Sequence, residues 1–190
     1  MQILGIVCSA RKEGNTEILV REALEAAEKA GADTQLFLVA DRKISPCDGC
    51  GSCENTGICK IKDDMQELYH DLEAADGIIF GTPVYFANVS AQAKAIMDRT
   101  YAFLATRKLR GKVASALVAV RRVGGGQVLS LLYSFFMAHR MTIAAGGIGY
   151  GREKGEVRRG TGAALSLSAV EEARAVGKNT TKMVALLREK

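Results

Sequence analysis

Tryptophan is absent from this chain of 190 residues, and proline and histidine occur only twice each. With so little proline and 25% charged residues, neither a collagen-like nor a disordered composition is in play. His70 and His139 fall within helical patterns and make no zinc-like pair, so solvated-surface or helix-end roles are expected of them. No apolar run approaches the roughly 20 residues that a membrane-spanning helix needs. Residues 1–8 have no leading positive region and too short an apolar run for a signal peptide, which makes a cytoplasmic location the default expectation. No stripe of basic residues interleaved with aromatics points to nucleic acid. No catalytic triad or paired carboxylate site is present.

What the chain does have is apolar material: 48% hydrophobic residues suffice for the core of one domain spanning residues 1–190. Its 26 Lys and Arg against 21 Asp and Glu leave a formal charge of +5, which favours phosphate-bearing ligands or simply keeps the protein soluble. Five cysteines occur, four of them between Cys47 and Cys59, and no secretion signal accompanies them. An odd, clustered set argues against a disulfide framework and for a metal or redox site.

Residues 2–8 form a continuous apolar run, followed by the polar stretch Ser9 to Thr16 and a helical pattern through Ala30, with Gly31 as its stop. Thr34 to Val39 reads as a second strand, and Asp41 to Lys62 as an irregular segment with the cysteine loop at 44–62. Asp63 or Asp64 caps a helix to about Ala74, and Asp76 to Gly81 is a buried strand. Ser90 caps a helix running to Ala105, and Val113 to Val120 is a strand. The glycine triplet Gly124 to Gly126 opens a helix to about Arg140, and Thr142 to Ile148 is the last strand. A basic, glycine-rich loop follows from Gly149 to Gly162, and Ser168 with Glu171 has capping-box spacing for a helix through Arg188. Apolar runs alternating with amphipathic helices specify an α/β fold. The expected fold is flavodoxin-like, a doubly wound five-stranded parallel sheet of order 2-1-3-4-5 with an inserted cysteine-rich loop.

In such a sheet ligands bind beyond the carboxyl ends of the strands, so the loops after Cys8, Gly81 and Val120 belong together. Ser9 to Thr16 offers hydroxyls and backbone N–H groups to an anion at the positive end of the first helix. The plain alternative is that Asn15 or Thr16 only caps that helix and Gly14 only makes the turn. Thr82 to Ser90, which contains Pro83, Val84, Tyr85, Phe86 and Asn88, supplies an apolar wall for a flat ring system, with core packing of the two aromatics as the alternative. Gly124 and Gly125 let backbone approach a ligand, or form a turn. The basic segment from Arg152 to Arg159 reads as a solvated loop and is assigned no site.

Cys47-x2-Cys50-x2-Cys53-x5-Cys59 supplies four thiolates from one loop, and Gly49, Gly51 and Gly57 let its backbone wrap around something small. Four-cysteine ligation of a [4Fe–4S] cluster fits this inventory. Structural zinc, which favours two pairs separated by a longer spacer, is the runner-up. Cys8, at the end of the first strand, reads as a buried apolar residue.

Together, residues 9–16, the cysteine motif, Asp63-Asp64-Met65, residues 75–86 and Lys94 through Arg99 resemble the iron–sulfur flavoproteins within the NADPH-dependent FMN reductases, over nearly the whole chain. The resemblance implies that Ser9, Arg11, Asn15 and Thr16 hold the phosphate of FMN. It places Pro83 to Phe86 and the Gly124 to Gly126 loop around the ribityl chain and ring. It also implies a homodimer or homotetramer with the cluster near a flavin. The expected activity is electron transfer between a one-electron donor, such as ferredoxin or another electron carrier, and a small-molecule oxidant or redox partner. The alternative is an NAD(P)H-dependent FMN or quinone reductase in which the cysteine loop is structural or vestigial. A zinc-stabilised binding module explains the cysteines but leaves the aromatic loop unexplained.

Overall fold

The computed structural model describes residues 1–158 and 168–189. Five strands, β1 (Gln2–Val7), β2 (Asp33–Leu38), β3 (Gly77–Pro83), β4 (Val113–Val120) and β5 (Thr142–Tyr150), form one sheet in the order β2-β1-β3-β4-β5. All four pairings are parallel, as crossover helices require. The helices are α1 (Asn15–Lys29), α2 (Cys53–Thr56), α3 (Met65–Ala74), α4 (Ala91–Arg99), α5 (Gly125–Ala138) and α6 (Ala169–Arg188).

Successive strand residues point to opposite faces, and the two cores follow from that alternation. Leu4, Ile6, Ile78, Phe80, Ala116 and Val118 pack with residues of α3, α4 and α5 on one face. Ile3, Val7, Ile79, Leu117 and Ala119 pack with α1 and α6 on the other. Among the described residues no helix is long and apolar enough to cross a membrane.

Several boundaries depart from expectation, among them β3, which runs on through Thr82 and Pro83. Val39 leaves the strand and begins a 3-10 turn, Val39–Asp41. The segment Asp41 to Lys62 contains the single turn α2. The helix capped by Ser90 ends at Arg99 and not at Ala105, passing into a 3-10 turn over Thr100–Phe103. There the Thr100 hydroxyl donates to the carbonyl of Met97 at 2.7 Å, and the tighter winding buries Thr100, Ala102 and Phe103. Strand β5 runs two residues past Ile148, because Gly149 and Tyr150 still pair with Ala119 and Val120. The expected Gly149–Gly162 loop therefore begins at Gly151, and residues 159–162 lie outside those described.

Candidate functional site

The carboxyl ends of β1, β3, β4 and β5 open onto a cleft of about 300 Å³. Ser9, Arg11, Gly14, Asn15, Thr16, Pro83, Val84 and Tyr85 line it, so eight of the twelve proposed cofactor positions converge there. The strand ends are held in register by backbone bonds from Cys8 N to Gly81 O (2.8 Å), Val84 N to Ala119 O (2.9 Å) and Gly151 N to Val120 O (3.0 Å). Ser90 ties the floor together: its hydroxyl donates to Cys8 O at 2.6 Å and accepts from Ala93 N at 3.1 Å.

Gly14 is the N-cap of α1, so Asn15 and Thr16 are its first helical residues and not its cap. The amides of this first turn have no intrahelical acceptor and carry the positive end of the helix dipole. Ser9 is buried, its hydroxyl oxygen accepting from Arg11 N at 3.1 Å. Glu13 takes a left-handed conformation (φ 53°), and its carboxylate pairs with Lys154 at 2.9 Å; that hydrogen bond and charge hold its pKa below the ordinary range.

The fourth wall is the segment Gly151 to Lys154, which sequence reasoning left as solvated loop. Asn15 fastens it: Nδ2 donates to Gly151 O (3.3 Å) and Glu153 O (2.9 Å), and Oδ1 accepts from Gly155 N (2.9 Å). The lining holds Arg11, Arg121, Arg152 and Lys154 and the single acid Glu153, an excess of positive charge suited to a phosphate. The available signal was position, since a loop after β5 must emerge at the same edge as the loops after β1 and β3.

Phe86, Asn88, Gly124 and Gly125 stand outside that lining. Tyr85 and Asn88 exchange two backbone bonds of 3.0 Å around a tight turn whose central residues, Phe86 (φ 50°) and Ala87 (φ 56°), are both left-handed. Such backbone costs about 1 kcal/mol or more per non-glycine residue and leaves the Phe86 ring fully exposed at the tip. Gly124 (φ 93°) presses on this turn, since a Cβ there would come within 2.9 Å of Ala87 Cα. Gly125 backs onto Ile148.

The cysteines form a second cleft, of about 410 Å³, lined by Cys47, Cys50, Cys53, Cys59, Arg99 and Tyr101 among others. Gly49 (φ 67°), Gly51 (φ 70°) and Gly57 (φ 65°) supply the left-handed turns that bring four thiols round one opening. Cys47 and Cys50 are exposed, Cys53 is half-buried and Cys59 buried. Burial first, then the neighbouring Cys59, Cys50 and Cys47, raise the Cys53 pKa. Among the described residues no three His, Cys, Asp or Glu side chains converge on a metal-ion site, and the four thiols line an open cleft. Four sulfur donors around a space fit an iron–sulfur cluster. Cys8 is fully buried, and desolvation keeps it a thiol.

The base of this loop is closed by groups that sequence reasoning saw as caps or passed over. The Arg99 side chain is fully buried and binds Asp63 through Nη1 (3.0 Å) and Nη2 (3.1 Å). Nη1 also donates to Ser45 O (2.9 Å) and Nη2 to Ile61 O (3.3 Å), spanning the loop's two ends. Asp63 also accepts from Ser45 N (2.8 Å) and Met65 N (3.2 Å), and Asp64 accepts from Lys43 N (2.6 Å). An arginine three residues after buried Ile96, on the helix's inward face, was the visible signal. His139, expected at a surface or helix end, caps the C-terminus of α5 but is buried, with Nε2 3.0 Å from Thr100 Oγ1. His70 is exposed beside Asp71.

The model of the NADPH-dependent FMN reductase family matches residues 1–152. An iron–sulfur flavoprotein of Methanocaldococcus jannaschii is 37% identical over 100% of both chains. One from Archaeoglobus fulgidus is 42% identical over 76% of each. This chain belongs to the iron–sulfur flavoprotein family within the FMN reductase group. It is accordingly a flavin-dependent redox protein. The fold agrees: an NAD(P)H:quinone oxidoreductase from Methanothermobacter marburgensis superposes with a TM-score of 0.71 at 15% identity, covering 94% of this chain and 98% of that one.

Proposed function

We propose that this iron–sulfur flavoprotein binds FMN in the sheet-edge cleft and a [4Fe–4S] cluster among Cys47, Cys50, Cys53 and Cys59. In this reading it passes electrons between a one-electron donor, such as ferredoxin or another electron carrier, and a small oxidant or redox partner. The observation that carries it is the presence in one chain of two separate clefts, one with a basic helix-terminus cradle and one with four thiols. When bound, FMN supplies transfer of one or two electrons and the cluster supplies transfer of one.

Ser9, Arg11 and Thr16, with the first-turn amides of α1 including that of Asn15, hold the phosphate. Gly14 keeps that approach open. Pro83, Val84 and Tyr85 flank the ring, with Phe86 and Asn88 shaping the turn beside it. Gly124 supports the same turn from behind, and Gly125 lets the start of α5 pack closely on Ile148. The exposed side chains of Phe86, Val123 and Met137 support association of copies into a homodimer or homotetramer.

Cys50→Ala tests the assignment, with iron and sulfide lost and FMN retained as the expected result. Retention of iron would contradict it. A second reading, direct reduction by NAD(P)H, is supported by the family match over residues 1–152. Stopped-flow reduction separates the two: prompt reaction with reduced ferredoxin and a slow one with NADPH supports the first, and the reverse order the second.

A further inference from the structure

Among the described residues Arg99 is the one arginine lining the four-thiol cleft, and its side chain is inaccessible to solvent. Four hydrogen bonds of its two terminal nitrogens are accounted for by Asp63, Ser45 O and Ile61 O. Its third nitrogen, Nε, is buried and has no partner. A buried donor left unmatched is costly, so such groups call for an explanation. Asp63 does not supply it, because both of its oxygens already accept from the terminal nitrogens and from Ser45 N and Met65 N. Tyr69, whose hydroxyl donates to the Arg99 carbonyl at 2.7 Å, makes no hydrogen bond with Nε.

Resting on the cluster reading above, we propose that Arg99 is the positioning and tuning residue of the cysteine site. Its terminal nitrogens clamp the two ends of the loop at Ser45 and Ile61, and its free Nε–H donates to a sulfur at the cleft. Burial opposes the charge of Arg99, and Asp63 outweighs it, so the guanidinium stays cationic. A buried cation and an N–H donor both favour the more negative, reduced form of a sulfur-ligated centre, and therefore raise its potential. Lysine at the same place would keep a charge for Asp63 but has neither the Nε–H nor the fork that reaches both carbonyls.

The test uses the full chain reconstituted anaerobically with iron and sulfide. Redox titration of Arg99→Lys should give a cluster potential below that of the wild type, with a lower iron occupancy. A residue needed only to neutralise Asp63 would leave the potential unchanged in the lysine variant, and that result would overturn the proposal. Because the variant can fail to load, a second measurement uses the wild type labelled with arginine carrying 15N at Nε alone. Pulsed EPR of its reduced cluster should show a weak 15N coupling, and absence of that coupling would also overturn the proposal. Wild-type chain that takes up no iron and sulfide would instead remove the cluster reading itself.

Discussion

One amide side chain carries much of the flavin cleft. Asn15 makes three hydrogen bonds to backbone groups 136 to 140 residues away, and through them Gly151 to Lys154 becomes a wall. Each such bond is worth about 1 kcal/mol, so Asn15→Ala should destabilise the chain by about 1–3 kcal/mol. If the loosened wall passes half of that loss to binding, FMN affinity falls about two- to tenfold. Titration of the apoprotein with FMN, alongside thermal unfolding, checks both. Unchanged affinity would mean that the loop holds without this anchor. Ser90 plays the same kind of part below the cleft, and Ser90→Ala should cost about 1 kcal/mol through loss of the cap to Ala93.

Between elements, the closest fit is that of α1 against α6. Gly177 faces the carbonyl of Ala23, and a methyl group there would overlap it, so Gly177→Ala must push the two helices apart. The expected loss is about 1–3 kcal/mol, read as a lower melting temperature with no change in iron content. At the C-terminus of α5, Thr100 gives its proton to Met97 O, so His139 Nε2 is the donor to Thr100. Burial lowers the His139 pKa below 6.5, and Arg107 and Arg140 line the same hollow. The unfolded chain then binds the proton more tightly than the folded one. This contribution to stability is complete above about pH 6.5 and is lost as the pH falls below it. Melting curves across that range should show the slope, and His139→Gln should flatten it.

Elements formed by local chemistry were legible in sequence. The Ser168–Glu171 capping box is present in both directions, Gly31 ends α1 with φ 92°, and the five apolar runs became the five strands. The end of α4 was not legible, because the pairing of Thr100 with His139 and the inward turn of Phe103 depend on tertiary packing. Nor were the Arg99–Asp63 clamp and the Asn15 anchor, whose partners lie 36 and more than 130 residues away. The cysteine spacing announced its chemistry, while the groups that hold the loop in place did not.

At the scale of the whole molecule, one sheet displays two clefts, and among the described residues none lines both. Their contents should therefore be separable, with substitutions at the thiols changing iron and substitutions at residues 9–16 changing flavin. The central claim is that both occupants belong to the same chain. Its most direct test is an anaerobic ultraviolet–visible spectrum of the reconstituted protein, with FMN, iron, sulfide and zinc quantified in the same sample. The account predicts FMN together with the iron and sulfide of a [4Fe–4S] cluster. Flavin without iron after reconstitution would contradict the two-cofactor account, and zinc without flavin would contradict both assignments.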